Sequence, residues 1–316
     1  FSNVDSFAAI KTDGSVVTWG GGPGGNSNGI DFSGGVKKIF STHDSFAAIK
    51  NDGSVVTWGN TSRGGNSSGL DFSGGVKEIA STFRAYAALK EDGSVVTWGE
   101  SGFGGNSDSA SSQLATGVSK LRSTGYAFAA IKDNGSVIAW GGDGGDTSSV
   151  ANQLNSGVKD IVSAGHGFAA LKQNGSVVTW GGHVDNSGAV SDQLSGGVVD
   201  VYSTEYAFAA LKDDGSVVTW GNPSYGGNSN DVSNLISANV DDLFTTQTAF
   251  AALKSDGSVV TWGHPQYGGD KSAVDNKLVN GVVGFANPFT DDWLSTPAST
   301  YTVETSIVNP TDDRGR

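Results

Sequence analysis

The chain contains no cysteine. Disulfide scaffolds, zinc–thiolate sites, iron–sulfur clusters and thiol catalysis are therefore excluded. Methionine is absent too, even from position 1, and we expect a processed chain or a piece of a longer precursor. No apolar run approaches the roughly 18 residues of a membrane-spanning helix, and no signal peptide is recognisable. With neither thiol nor thioether to oxidise, the composition suits an exposed, oxidising setting. An extracellular or cell-surface location is the expectation, with an organelle lumen as the alternative.

Charge is scarce as well: Asp, Glu, Lys and Arg make up 16% of the 316 residues, against about a quarter in ordinary domains. What charge there is leans acidic, with 32 Asp and Glu against 19 Lys and Arg, a net −13. Such a surface repels phosphate backbones, so no nucleic-acid partner is expected. Glycine is abundant, at 48 residues. Few charges with many glycines point to short strands joined by tight turns, and away from helices or charged disorder.

An internal repeat dominates the sequence. Seven copies of one phrase begin at Phe7, Phe46, Tyr86, Phe128, Phe168, Phe208 and Phe250; the first reads FAAIKTDGSVVTWG. The repeat tryptophans are Trp19, Trp58, Trp98, Trp140, Trp180, Trp220 and Trp262, at spacings of 39, 40, 42, 40, 40 and 42. FAAIK and SVVTW are runs of aromatic and β-branched residues. Between them stands Asp-Gly, as at Asp13-Gly14, or Asn-Gly, as at Asn134-Gly135 and Asn174-Gly175. These pairs tolerate the positive φ of a tight hairpin turn. Asp and Asn interchange there, as a backbone role predicts and a metal-ligand role does not.

A third strand is predicted before each hairpin: 36–40, 76–80, 118–122, 158–162, 198–202 and 240–244. A glycine-rich loop follows each tryptophan. In later repeats, Val150 and Leu154, Val190 and Leu194, and Val274 and Leu278 lie four apart, which reads as one helical turn. Both faces of the strands are apolar or small, so a 40-residue unit cannot bury them alone; neighbours arranged about an axis can. The fold class read from this is all-β, a seven-bladed β-propeller over residues 1–287 with a C-terminal tail over 288–316. Phe1 aligns with Phe40 at the end of a third strand, so the first blade lacks that strand. Residues 281–286 match 75–80 and are expected to supply it, closing the ring and removing exposed edges.

The phrase [FY]AA[IL]KxDGSVVTWG, with its glycine-rich loop and a Val-x-x-Ile/Val-x-Ser strand, resembles the repeat of the regulator-of-chromosome-condensation family over about residues 1–287. The resemblance implies a seven-bladed propeller. The near-identical tandem copies are similar to those of secreted or surface microbial proteins. Family members include a nuclear exchange factor that contacts chromatin through basic residues and a secreted inhibitor of β-lactamases. The acidic balance and five arginines set this chain apart from the chromatin-contacting role, and a fold does not by itself assign a function.

Signals for chemistry are weak. Gly25–Gly29 and Gly65–Gly69 fit G-x-S-x-G, but the pattern needs a strand–elbow–helix that an all-β repeat does not provide. Gly20–Gly25 fits G-x-G-x-x-G without the βαβ unit that gives that motif its meaning. His43, His166, His183 and His264 share no metal-ligand spacing, although His43 and His166 occupy equivalent loops and are placed to face one another across a ring. The turn acids lack the dense alternation of a calcium loop. We expect no enzyme activity, no cofactor and no metal. The repeat tryptophans are read as packing between blades rather than as sugar platforms.

Two loops vary while the scaffold repeats. One is the pair before FAA: Val4-Asp5, His43-Asp44, Phe83-Arg84, Gly125-Tyr126, Gly165-His166, Glu205-Tyr206 and Gln247-Thr248. The other is the tip after Trp-Gly: Pro23, Arg63, Phe103, Asp143, Val184, Tyr225 and Tyr267. In an up-and-down blade both lie at one end, opposite the constant turns. Loops on a rigid scaffold commonly carry binding, and Tyr, Phe and Arg are strong contact residues. The candidate binding residues are therefore His43, Arg63, Phe83, Arg84, Phe103, Tyr126, His166, Tyr206, Tyr225 and Tyr267. The expected partner is a protein, or further copies in an assembly. A glycan is the alternative, stacking on Tyr225 near Asn228 or Tyr267 near Asp270. In the tail, Trp293 is apolar, and Tyr301, Val303, Thr305 and Ile307 share one face at strand period, so the tail is read as an assembly strand.

Overall fold

A computed structural model describes residues 1–182 and 186–285. Seven antiparallel sheets follow one another along the chain, the first with two strands and the other six with three. The inner strands are Val36–Ser41, Val76–Ser81, Val118–Ser123, Val158–Ser163, Val198–Ser203 and Val240–Thr245. The middle strands run from Ser6–Ile10 in blade 1 to Ala249–Lys254 in blade 7, and the outer strands from Val16–Gly20 to Val259–Gly263. In blades 2 to 7 each middle strand pairs with both neighbours, and in blade 1 with the outer strand alone. Inner strands of successive blades touch one another, so the blades converge on that side. This is the all-β, seven-bladed architecture expected.

The turn between middle and outer strands shows why the repeat spells Asp-Gly-Ser. Lys11 N–H donates to Ser15 O at 2.8 Å, and Gly14 N–H donates to Lys11 O at 2.9 Å. Positive φ falls on Gly14 alone, at 80°; Asp13 does not share it. The carboxylate acts through its oxygen instead, accepting from Ser15 N–H at 2.9 Å and Ser15 Oγ at 2.6 Å. Asn134 Oδ1 accepts the same two bonds from Ser136, which is why Asp and Asn exchange.

These bonds favour the ionised carboxylate and hold Asp13 down at about 2, first through the Ser15 hydroxyl and then through its N–H. Asp52, Asp92, Asp214 and Asp256 move the same way for the same reason. A depressed folded-state pKa contributes stability above the unfolded value of about 4 that is lost as pH falls through about 2. Carboxyl NMR titration is expected to place the Asp13 midpoint near 2; a midpoint near 4 would show that the turn bonds are not made.

Each inner strand carries an irregularity not read from the sequence. Val36 pairs with Lys50 and Lys38 with Ile49, so Lys37 is bulged. The same shift recurs at the other inner strands. It turns the strand's start toward the preceding blade, where Val36 N–H donates to Gly14 O at 2.9 Å. Val76, Val118, Val158, Val198 and Val240 repeat that bond to Gly53, Gly93, Gly135, Gly175 and Gly215.

A second lock is made by the tryptophans. Trp98 is buried against Tyr86, ring centroids 5.1 Å apart, and its Nε1–H donates to Gly64 O of the preceding blade at 3.0 Å. Trp58, Trp140, Trp180 and Trp262 do the same to Gly24, Gly104, Gly144 and Gly226. Trp220 Nε1–H finds no such acceptor among the described residues. The tryptophans are therefore inter-blade packing. Outside each outer strand the predicted helical turns appear as short helical or turn segments, burying Leu154 and Leu194.

The expected ring closure by residues 281–286 is not shown: the described part, 281–285, makes no pairing with blade 1. Phe1 and Ser2 form the stub of the missing inner strand. Ala8 N–H donates to Phe1 O at 2.9 Å, and Ser2 bridges Phe7, the register of Phe40 on Ala47 and Ser41 on Phe46. Residues 281–285 lie outside any strand, and Val283 is 98% exposed. Yet Val282 N–H donates to Gly257 O at 3.0 Å, the bond that starts every inner strand. Phe285 packs on Phe244, centroids 4.5 Å apart. The segment thus occupies an inner-strand position on blade 7 without pairing to blade 1. The tail residues Trp293, Tyr301, Val303 and Ile307, with the boundary at 287, lie outside the described residues.

Candidate functional site

Both variable loops do lie at one end of the blades. Thr82 Oγ1 donates to Phe103 O at 2.9 Å, Thr204 Oγ1 to Tyr225 O at 2.9 Å and Thr246 Oγ1 to Tyr267 O at 3.0 Å. In blade 2, Ser45 Oγ donates to Arg63 O at 2.8 Å. The tips at Arg63, Phe103, Tyr225 and Tyr267 are thereby fastened over the pair that precedes the middle strand.

Across the blades these pairs form a backbone ladder. Val4 N–H donates to His43 O at 3.4 Å, His43 to Phe83 O at 3.0 Å and Phe83 to Gly125 O at 2.9 Å. Gly125 donates to Gly165 O at 3.1 Å, Gly165 to Glu205 O at 2.7 Å and Glu205 to Gln247 O at 2.9 Å. Six bonds in succession fix the loops at near-strand spacing, close enough for their side chains to stack.

The rings then fall into a line. His43 stacks on Phe83 with centroids 4.4 Å apart, and Phe83 meets Tyr126 edge-on at 5.2 Å. Tyr126 stacks on His166 at 4.6 Å, and His166 on Tyr206 at 5.3 Å. Phe103 stacks on Tyr126 from its long loop, and Tyr225 meets Tyr206 edge-on at 4.7 Å. All seven rings are half-buried. Gly125 makes the step from Phe83 to Tyr126 possible, because a Cβ there would stand 2.6 Å from the Phe83 ring. His43 and His166 are thus two rings apart in one series and do not face one another across an opening.

The charged candidates pair with carboxylates at the same end. Arg63 NH1 donates to Asp44 Oδ2 at 2.8 Å and Arg84 NH1 to Glu100 Oε2 at 3.2 Å; Arg63 Nε also lies 3.8 Å from Glu100. Arg84 lies over the Phe103 ring at 4.8 Å, and His166 Nδ1 lies 3.1 Å from Asp143 Oδ2. Burial among the rings pushes the His43 imidazole below its ordinary pKa, opposed by Asp44. Burial raises the Tyr206 hydroxyl. The result is an aromatic strip flanked by internally compensated charge.

Tyr267 stands apart. It is 60% exposed, and its ring meets only His264, at 4.8 Å, among the described aromatic contacts. Nine of the ten candidates form the strip and its flanks. The sequence reading missed Asp44 and Glu100 as the partners of the arginines, and Gly125 as the space for Phe83. Their signal was their place beside the variable positions. No group of three or more His, Asp or Glu suited to a metal occurs among the described residues.

No protein-family model matches the chain, and no curated protein matches it. Solved structures resemble it at low identity. One is the ectodomain of the receptor kinase CR4 from Physcomitrella patens: 15% identity, 84% of this chain, 71% of that one, TM-score 0.43. Another is the CRINKLY WD40 ectodomain of ACR4 from Arabidopsis thaliana: 17% identity, 82% and 93% coverage, TM-score 0.42. A third is Prp20p from Saccharomyces cerevisiae, described with its binding to Gsp1p and histones: 14% identity, 72% of each chain, TM-score 0.44. By its own sheets, one of two strands and six of three, the protein is of the seven-bladed β-propeller class.

Proposed function

We propose that this protein is a non-catalytic scaffold that binds a protein partner through its variable end, at the cell surface or outside the cell. The observation that carries the reading is the aromatic strip. Five rings from five blades stand in one contiguous series, three contacts stacked and one edge-on, on a hydrogen-bonded backbone ladder. A partner meets an ordered, largely apolar surface whose side chains have little freedom left to lose on binding. Tyr-rich contact at low ordering cost is typical of protein recognition. The flanking arginines, already paired, favour register and exclusion of wrong partners over raw affinity. The opposite end repeats one turn in every blade and offers no comparable variety.

Phe83, Tyr126 and Tyr206 each pack on other rings of the strip. Their mutual stacking means that replacement loosens the strip as well, at about 0.5–1.5 kcal/mol per lost ring pair. The test uses three baits immobilised at equal density. These are the wild type, Phe83→Ala/Tyr126→Ala/Tyr206→Ala, and the turn variant Asp92→Ala/Asn134→Ala/Asn174→Ala. Melting is measured in parallel to confirm folding. Captured protein is expected to fall at least about tenfold with the first variant, the scale of a few contact hot spots, and to persist with the second. Retention by the first and loss by the second would reject the reading. Exposed Tyr267 favours glycan stacking as a second reading, and a glycan array probed with wild type and Tyr267→Ala tests it directly.

A further inference from the structure

Between neighbouring blades one arrangement repeats. The middle-strand aromatic and the outer-strand tryptophan of one blade press on the preceding blade, over a glycine whose lack of a side chain leaves room for the ring. A Cβ on Gly64, Gly104 or Gly226 would stand 2.5–2.6 Å from the ring of Tyr86, Phe128 or Phe250, and all three glycines are buried. The preceding blade supplies the wall. Ala209, Leu211 and Ile236 of blade 6 enclose Phe250 and Trp262 of blade 7.

Both halves of this joint are exposed at the two ends of the array. Blade 1 presents Phe7 and Trp19, stacked at 5.3 Å but 49% and 50% exposed. Their counterparts in the other blades are buried. Blade 7 presents the complementary hollow. Gly268 is exposed, and among the described residues a Cβ there would find only Thr246 and Ala249 within 4 Å, with no ring. Ala251, Leu253 and Leu278 are half-buried where Ala209, Leu211 and Ile236 are fully buried. Beside the hollow, residues 282–285 hold an inner-strand position with no lateral partner, while blade 1 has only the two-residue stub of its inner strand.

We infer that blade 1 of one molecule docks on blade 7 of a second copy, head to tail. The ring of Phe7 fills the hollow over Gly268, Trp19 Nε1–H donates to Gly268 O, and residues 282–285 of one copy pair as the inner strand of blade 1 in the next. The occupant is a second copy because the contact repeats, group for group, the joint by which this chain's own blades recognise one another. Among the described residues the two halves do not meet: Phe7 and Trp19 are half exposed and no described ring fills the hollow over Gly268. Such an interface is heterologous, so each added copy renews both ends and growth is linear or cyclic. This inference rests on the blade ends and is independent of the reading of the variable end.

Light scattering after size-exclusion chromatography, over a wide range of concentrations, tests it. Wild type is expected to form species heavier than one chain, increasing with concentration. The plug variant Phe7→Asp/Trp19→Asp and the hollow variant Ala251→Glu/Leu253→Glu are each expected to be monomeric, with association weakened about thirtyfold or more. Mixed one to one, they retain one good end each and are expected to give a species of twice the chain mass and nothing larger. That arm also reports folding, since a misfolded variant cannot form the pair. Wild type that stays monomeric at every concentration overturns the inference, as does a mixture that gives no pair. If that monomer melts lower once Phe7→Asp/Trp19→Asp is introduced, the ends close on each other within one chain.

Discussion

Trp98→Ala is expected to cost about 3–5 kcal/mol of stability, the range for emptying a large buried aromatic site. Trp98 lies in the seam between blades 2 and 3. It stacks on Tyr86, touches Phe72 edge-on at 5.4 Å and donates to Gly64 O. The surrounding cluster draws Phe40, Ala47 and Ile49 from one blade and Val76, Ile79 and Ala88 from the next. Truncation removes transfer energy, leaves a void the two sheets cannot close, and strands a buried carbonyl. Trp19→Ala is the internal comparison. It changes the same residue in the same phrase, but one that is half exposed, so in dilute protein the expected loss is below about 1.5 kcal/mol. Urea unfolding of both variants measures the contrast. Equal losses would show that the seams do not carry the stability.

Gly64→Ala is the second large effect. Gly64 has φ 101°, and its new Cβ would stand 2.5 Å from the Tyr86 ring. Tyr86 cannot retreat. It is fully buried, and its hydroxyl donates to Ser45 O at 2.9 Å while accepting from Thr42 N–H at 3.0 Å. Burial raises that hydroxyl's pKa well above the ordinary value, so it stays a donor at all working pH. Left-handed strain of about 1–2 kcal/mol adds to an overpacking cost of about 1–3 kcal/mol. Gly69→Ala, at φ 82° with nothing within 4 Å of its Cβ, carries only the strain. Thermal unfolding is expected to separate the two by several degrees. Equal shifts would show that Gly64 is needed for its dihedral and not for the ring.

Much of the fold was legible because the sequence states it seven times. Trp spacing, turn pairs and strand alternation defined blade number, strand order and the end at which the variable loops gather. The predicted inner strands are one residue short, ending at Phe40 where the strand runs to Ser41, because a serine at a strand end carries no apolar signal. The bulge at Lys37 was hidden for a related reason. Which residue leaves the register depends on the carbonyl of Gly14 in the blade before, a contact with no local sequence mark.

The candidate site was legible as a set of residues and not as an arrangement. Phe83 stands first in its variable pair and Tyr126 second, so alignment alone puts them out of step. Their contact needs the ladder bond from Phe83 N–H to Gly125 O and the room that Gly125 leaves. The expectation that 281–286 would pair with blade 1 followed from matching residues in one dimension. Val282 and Phe285 do find the predicted kind of site on blade 7, but pairing also requires blade 1 to come alongside.

The central claim is that recognition takes place at the variable end. Site-specific photo-crosslinking separates the two ends within one folded protein. A benzophenone amino acid is introduced at Tyr126, beside the rings of the strip, or at Gln173, in a turn at the opposite end, and each protein is irradiated in the same mixture of candidate partners. The account predicts a covalent protein adduct from position 126 and none above background from position 173. Adduct formation from position 173, with none from position 126, would contradict it.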